Sequence, residues 1–241
     1  MPMTGTLINI ATVVVGTAIG TTVGARLSEG LQQRVMAGLG MITLVIGVDL
    51  ALAWGGADTT RHTPLYVLGG ILLGGALGEL IGIERRLEGF GRLVQSRLAS
   101  GDSESRVAEG FVDASLLFCV GSLVVIGSIQ DGLTGDYSTL ATKAVLDGFA
   151  AIALAAGLGW GVGLSALSIL LVQGTITLGA GAFDDLLQGE ALAALTSAGG
   201  VTIIGIGLKL LAITDVKVGN YLPALVIAPG LVGIARLLGV G

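Results

Sequence analysis

The chain has 241 residues, of which 53% are hydrophobic and only 12% are Asp, Glu, Lys or Arg, and its mean hydropathy is +0.91. A soluble domain carries about 25% charged residues, so this composition excludes a water-soluble globular fold and points to an all-α integral membrane protein. A net charge of −5, one histidine and one cysteine give no basis for nucleic-acid binding, an internal disulfide or a His/Cys metal cluster.

A spanning helix needs about 20 mostly apolar residues. Such runs occupy 5–25, 35–54, 65–83, 107–129, 140–172, 191–213 and 221–238. The start, MPMTGTLINIA, lacks a basic n-region and leads into a span-length run, so it reads as a retained helix and not a cleaved signal. The first run carries Gly16, Gly20 and Gly24 at four-residue spacing, and the third carries Gly70, Gly74, Gly78 and Gly82. Stripes of this kind let helix backbones approach closely where lipid gives no hydrophobic drive for association. After the third run, IERRLEGFGRLVQSRLAS sets Ile83, Leu87, Phe90, Val94 and Leu98 at helical spacing, with arginines on the other faces. It predicts an amphipathic helix on the inner leaflet. Cys119, inside the fourth run, reads as a small packing residue. The fifth run is too long for one ordinary span and divides at GLGWGVG, residues 157–163, where glycines permit a turn and Trp160 suits a headgroup interface. Eight spans result. In the last run Pro223 and Pro229, with APG at 228–230, predict a helix break.

Lys and Arg concentrate on the cytoplasmic side of membrane proteins. With the N-terminus outside, the inner segments hold Arg26, Arg34, Arg85, Arg86, Arg92, Arg97, Arg106, Lys209 and Lys217, leaving only Arg61, Lys143 and Arg236 elsewhere. The outer loops then carry Asp131, Asp136, Asp184, Asp185 and Glu190. Both termini are expected outside. At a constant offset of 158 residues, VVVGTAIGTTVGARL from Val13 falls on LVQGTITLGAGAFDD from Leu171, MITLVIGVDLAL from Met41 falls on GGVTIIGIGLKL from Gly199, and Gly75 falls on Gly233. An odd span falling on an even one predicts two inverted three-helix repeats flanking a central helix pair. The expected segments are a first repeat at 1–83, an amphipathic helix and loop at 84–106, a central pair at 107–160 and a second repeat at 161–241.

Charges inside spans cost a few kcal/mol each on insertion scales and should face protein or water. Lys143 and Asp147 are four apart and share a helix face, either as a neutralising pair or as a polar site whose Asp handles a cation. Asp49, Asp113 and Asp136 carry less weight, and Glu79 sits close to an interface. The stretch SLLFCVGSLVVIGSIQDGLTGD, followed by LATKAVLDG, together with GTLIN, VQGTIT and NYLPAL, resembles the bacterial membrane-protein family catalogued as domain of unknown function 554. The resemblance covers essentially the whole chain; Ser122 stands where related chains often have proline. It implies a multi-pass fold in the bacterial cytoplasmic membrane, and it adds weight to Asn9, Gln130, Asp131, Lys143, Asp147, Gln173 and Asn220 without naming a substrate. QDGLTGD, with two glycines and two carboxylates, suits a tight re-entrant turn at the mouth or floor of a pathway.

The expected activity is that of a small secondary transporter or channel for an ion or small polar solute, cation- or proton-linked because carboxylates outnumber Lys143 in the central segment. The runner-up is a non-transporting scaffold or regulatory subunit that docks through the arginine-bearing helix. An enzyme ranks last, since no nucleophile, base and orienter can be assembled. No cofactor is expected. The partners are the bilayer and the solute, with room for a homo-oligomer.

Overall fold

The computed structural model describes residues 2–26, 28–86, 89, 104–119, 122–182 and 187–239. Among these residues the principal elements are α1 (Thr4–Gly24), α2 (Glu29–Ala51), α3 (Thr63–Ile81), α4 (Glu104–Cys119), α5 (Ser122–Thr134), α6 (Ser138–Leu158), α7 (Ser165–Leu178), α8 (Glu190–Leu210) and α9 (Ala224–Leu237). Short 3-10 turns occupy Leu52–Gly55, Gly159–Leu164 and Val218–Tyr221. Among the described residues six stretches are long and apolar enough to cross a membrane, one of them the 41-residue Ser138–Leu178; α4 and α5, bent by 64°, make a seventh if taken as one broken span. From residue 87 on, the expected amphipathic helix lies outside the described residues, residue 89 excepted, as do Arg92 and Arg97.

Burial on α1 is the reverse of a soluble helix. Its inward face is Gly5, Thr6, Asn9, Val13, Gly16, Thr17, Gly20 and Gly24, while Leu7, Val14 and Val15 are exposed. Phe149 on α6 and Leu80 on α3 are likewise exposed, at 70% and 83%. Small and polar residues inside with large apolar residues outside is what a lipid solvent selects, because packing and hydrogen bonds hold the helices together there. The chain is a multi-span membrane protein.

The helices form two compact units, each drawing on both ends of the sequence. The first comprises Met1–Leu39, Arg85–Cys119 and Leu123–Gly181. In it α1 and α6 run parallel: Gly16, Gly20 and Gly24 lie against the backbones of Gly148, Ile152 and Ala156 in turn, so close that a Cβ at any of them would overlap a carbonyl. The chain reverses after α6 at Gly159, whose φ of +81° and ψ of −162° are open only to glycine. α7 therefore runs antiparallel to α1, with Gly163 beside Thr17 and Gly174 beside Met3. The division expected at 157–163 is thus a reversal of direction. α4 accompanies α7, with Gly161 against Val107 and the Ser115 and Ser168 hydroxyls 2.8 Å apart. α5, bent by 64° from α4, places Gly132 on Thr177.

The tight turn expected within QDGLTGD falls at its C-terminal end. Gln130–Thr134 remains helical, and α5 closes at Gly135, whose φ is +72° and whose N–H donates to the Asp131 carbonyl (3.1 Å). A left-handed glycine there satisfies an orphan carbonyl, so helix continues until one is reached.

The second unit comprises Gly40–Glu84, Val120–Ser122 and Ala182–Gly241. α3 and α9 pack antiparallel through Gly70 on Ala228, Gly74 on Ala224 and Gly78 on the Asn220 backbone. α2 and α8 also pack antiparallel, Gly47 on Gly200 and Ile204, and Leu44 on Gly207. Val67, Ala191, Ala194, Ala198, Ala224, Ala228 and Val232 make a core of small side chains. The break expected at 228–230 does not form, and α9 passes through Pro229. Proline removes one ladder bond, the one to the Leu225 carbonyl, and the helix continues on either side of it.

Candidate functional site

In the first unit, Asn9 on α1 reaches α6. Its Nδ2 donates to Asp147 Oδ2 (2.9 Å), and Lys143 Nζ donates to that same oxygen from one turn earlier on α6. Both helices put these residues on buried faces because the neighbouring positions are small: Gly5 and Gly16 on α1, Ala144 and Gly148 on α6. Asn9, Lys143 and Asp147 are 0%, 6% and 6% exposed. An isolated charge in such a place costs several kcal/mol, and removing one partner of a buried pair leaves that cost uncompensated. The arrangement is a buried ion pair in a span, steadied by an amide whose own Oδ1 has no partner. An apolar groove of about 350 Å³ at the α1–α6 crossing, lined by Val15, Ile19 and Phe149 among others, contains none of these groups.

One turn back along α1, Asp131 of α5 accepts the Gly5 N–H on Oδ2 (3.1 Å). It therefore caps α1 from a distant helix, where the positive end of the helix dipole favours a carboxylate. Gln173 and Thr177 lie on the α7 face that meets Gly132, and both are buried. Gln130 is half-buried and ties α5 to the first turn of α6 by accepting the Thr139 hydroxyl (2.7 Å). Asp136 is exposed and accepts the Ser138 N–H (3.0 Å), which holds its carboxyl below the ordinary carboxylate range. Asp113 is buried on α4, and Asp49 is exposed on α2.

Asn220 belongs to the second unit, where it is a clamp. Its Nδ2 donates to Glu79 Oε2 (2.6 Å), its Oδ1 accepts the Glu84 N–H (2.8 Å), and Glu84 Oε2 accepts the Gly219 N–H (2.7 Å). These bonds join the end of α3 to the turn before α9. The same unit contains a group that sequence reasoning missed: Glu190 Oε1, buried at the start of α8, accepts the hydroxyls of Thr60 (2.6 Å) and Thr63 (2.7 Å). An acid in the first turn of a helix was the available signal, but its hydroxyl partners lie too far away in sequence to be read. Among the described residues no three His, Cys, Asp or Glu side chains are grouped to hold a metal ion.

Of the residues singled out by sequence, the structure thus joins Asn9, Lys143 and Asp147 directly. It sets Asp131 one turn away along α1, and it puts Asn220 to separate use. The chain is similar to "Uncharacterized membrane protein YdfK" of Bacillus subtilis (strain 168), with 30% identity over 98% of this chain and 99% of that protein. It is also similar to "Uncharacterized protein YqgA" of Escherichia coli (strain K12), with 27% identity over 93% of this chain and 94% of that protein. No solved structure matches. The model of a protein family of unknown function, DUF554, matches residues 4–233, nearly the full length. The chain belongs to the DUF554 family.

Proposed function

We propose that the protein is a small secondary transporter or channel that moves an ion or small polar solute, cation- or proton-linked, by a path where the two repeat copies meet the central helices in the first unit. The observation that carries this reading is the buried Asn9–Asp147–Lys143 group. A membrane helix retains an ionisable pair, at a cost in insertion, chiefly where ions or protons are handled. Binding and movement are its work, not covalent chemistry.

Two features of the fold support the repeat architecture. Each helix of the first copy packs antiparallel on its equivalent in the second, α1 on α7, α2 on α8 and α3 on α9. Gly70 touches Ala228, and these two are equivalent at the 158-residue offset, as a pseudo-two-fold axis would require. Counting α4 and α5 as one broken pass, and α6 and α7 as two, gives eight passes. The charges at helix ends also support the orientation. Arg26 lies at the opposite end of the first unit from Asp136, and Lys217 lies at the opposite end of the second unit from Asp58 and Glu190.

The test is flux in proteoliposomes under imposed pH and sodium gradients. Asp147→Asn keeps the shape of the side chain and should reach the membrane folded while losing flux. A fully active Asp147→Asn protein would remove the pair from the mechanism. Absence of flux for every ion and gradient tried would favour the scaffold reading.

A further inference from the structure

Beside the ion pair lies a second polar group that the pair does not use. On α5, Ser128 and Asp131 share the face that carries Gly132, and Gly132 packs on the Thr177 backbone. On α7, Gln173 and Thr177 are one turn apart on the opposing face, and the intervening Gly174 touches Met3 at the start of α1. α1 brings Thr6 into this corner directly after Gly5, whose N–H is bonded to Asp131. All five of these residues are buried, four of them at 0% exposure and Thr177 at 2%. Thr6 Oγ1, Ser128 Oγ, Asp131 Oδ1, Thr177 Oγ1 and both amide atoms of Gln173 have no hydrogen-bond partner. More than nine in ten buried polar groups are satisfied in folded proteins, so this many orphans in one corner call for a bound species.

The chemistry of the orphans selects it. Five of the six atoms are oxygens, and one belongs to a carboxylate. Lys143 is already committed to Asp147, and the end of α1 offers Asp131 only about half a unit of positive charge. With Lys143 neutralised by Asp147, the corner's own charge is that of the Asp131 carboxylate, about half offset by the end of α1. An anion is excluded by that balance. One carboxylate among neutral hydroxyl and amide oxygens matches the charge of a monovalent ion better than that of a divalent one, whose sites are richer in carboxylate or water. We infer that the corner formed by Thr6, Ser128, Asp131, Gln173 and Thr177 binds one monovalent alkali cation of sodium's class, held by side-chain oxygens. The inference deepens the transport reading, on which it rests for its meaning, by giving the coupling cation a place distinct from Asp147. Bound there, the cation also touches the carboxylate that caps α1, so occupancy and the seating of α1 are linked.

The experiment is equilibrium binding of radioactive sodium to the purified full-length protein in nanodiscs, with choline replacing sodium at constant ionic strength. Wild-type protein should bind about one sodium per chain, saturably. Asp131→Asn should abolish binding. Because that change also weakens the α1 cap, Gln173→Leu and Thr177→Val are made separately. Each keeps the cap and should weaken binding at least about tenfold, equivalent to about 1.4 kcal/mol. Asp147→Asn should still bind sodium. No saturable binding by the wild-type protein overturns the inference, and so does binding that survives Gln173→Leu and Thr177→Val but is lost in Asp147→Asn. Sodium binding by a protein that shows no flux overturns the transport reading and leaves the cation site standing.

Discussion

At the scale of single residues, the unequal roles of Lys143 and Asp147 can be measured. Lys143→Met leaves a buried carboxylate facing only the Asn9 amide, and should cost about 3–5 kcal/mol in thermal unfolding in detergent. Asp147→Asn retains an oxygen that both donors can reach and should cost less. The double variant should recover much of the loss, and a double variant no more stable than Lys143→Met would show that the two charges are not coupled. Ala212, at φ +55°, holds the left-handed position of a Schellman ending on α8, with Ile213 N–H donating to Leu208 O (3.0 Å) and Ala212 N–H to Lys209 O (2.9 Å). Ala212→Gly should stabilise by about 1 kcal/mol in the same assay, since it relieves left-handed strain. Asp136 works in the opposite pH sense from a base. Its folded pKa is depressed, so its capping is present above the ordinary carboxylate range and is lost as pH falls through the lowered value. Melting curves of the wild type and Asp136→Asn should therefore differ at neutral pH and converge in strong acid. The sequence made the Lys143–Asp147 pair legible because helical spacing alone joins residues four apart. It hid Asn9's part, the capping of α1 by Asp131, and the Thr60 and Thr63 bonds to Glu190, because each needs helices far apart in sequence to meet.

At the scale of the helices, glycine decides which faces close. A side chain at Gly78 would run into the Asn220 backbone, and one at Gly74 into Ala224. Gly78→Ala should separate α3 from the turn that carries the Asn220 clamp and lower stability by about 1–3 kcal/mol, read as earlier aggregation on heating in detergent. Gly233→Ala is the control. Nothing lies within 4 Å of a Cβ built there, so the change should be neutral or slightly stabilising. The spans were readable because a bilayer demands about 20 apolar residues in a row, and the reversal at Gly159 was readable because glycines cluster there. The 64° bend between α4 and α5 was not, since the text there is largely apolar and offers no proline or charge to mark it. Pro229 misled in the other direction, because a proline inside a helix removes one bond without having to end the helix.

At the scale of the whole molecule, the orientation is open to a direct check. Single cysteines at 85 and 136, in a Cys119→Ala background, should react with an impermeant thiol reagent from opposite sides of the membrane, 136 from outside. Labelling of position 85 from outside would reverse the assignment. The repeat offset was visible in the text, but the sharing of helices between units was not. Continuous segments such as 1–83 and 161–241 are natural in a sequence, whereas packing here unites α1 with α6 and α7, and α3 with α8 and α9.

That interleaving bears on how the protein is made. The glycine face of α1 has no partner until α6 has been synthesised, about 130 residues later. At roughly 5–20 residues per second, the ribosome takes some six to twenty-five seconds to supply it. Until then Asn9 waits in the bilayer, or in the insertion machinery, without the carboxylate it will bond. A gene divided within codons 90–100 should accordingly give two fragments that are each degraded when expressed alone, since neither holds a whole unit. Expressed together they should assemble, and survival of the first fragment alone would mean that α1 finds shelter by some other route during translation.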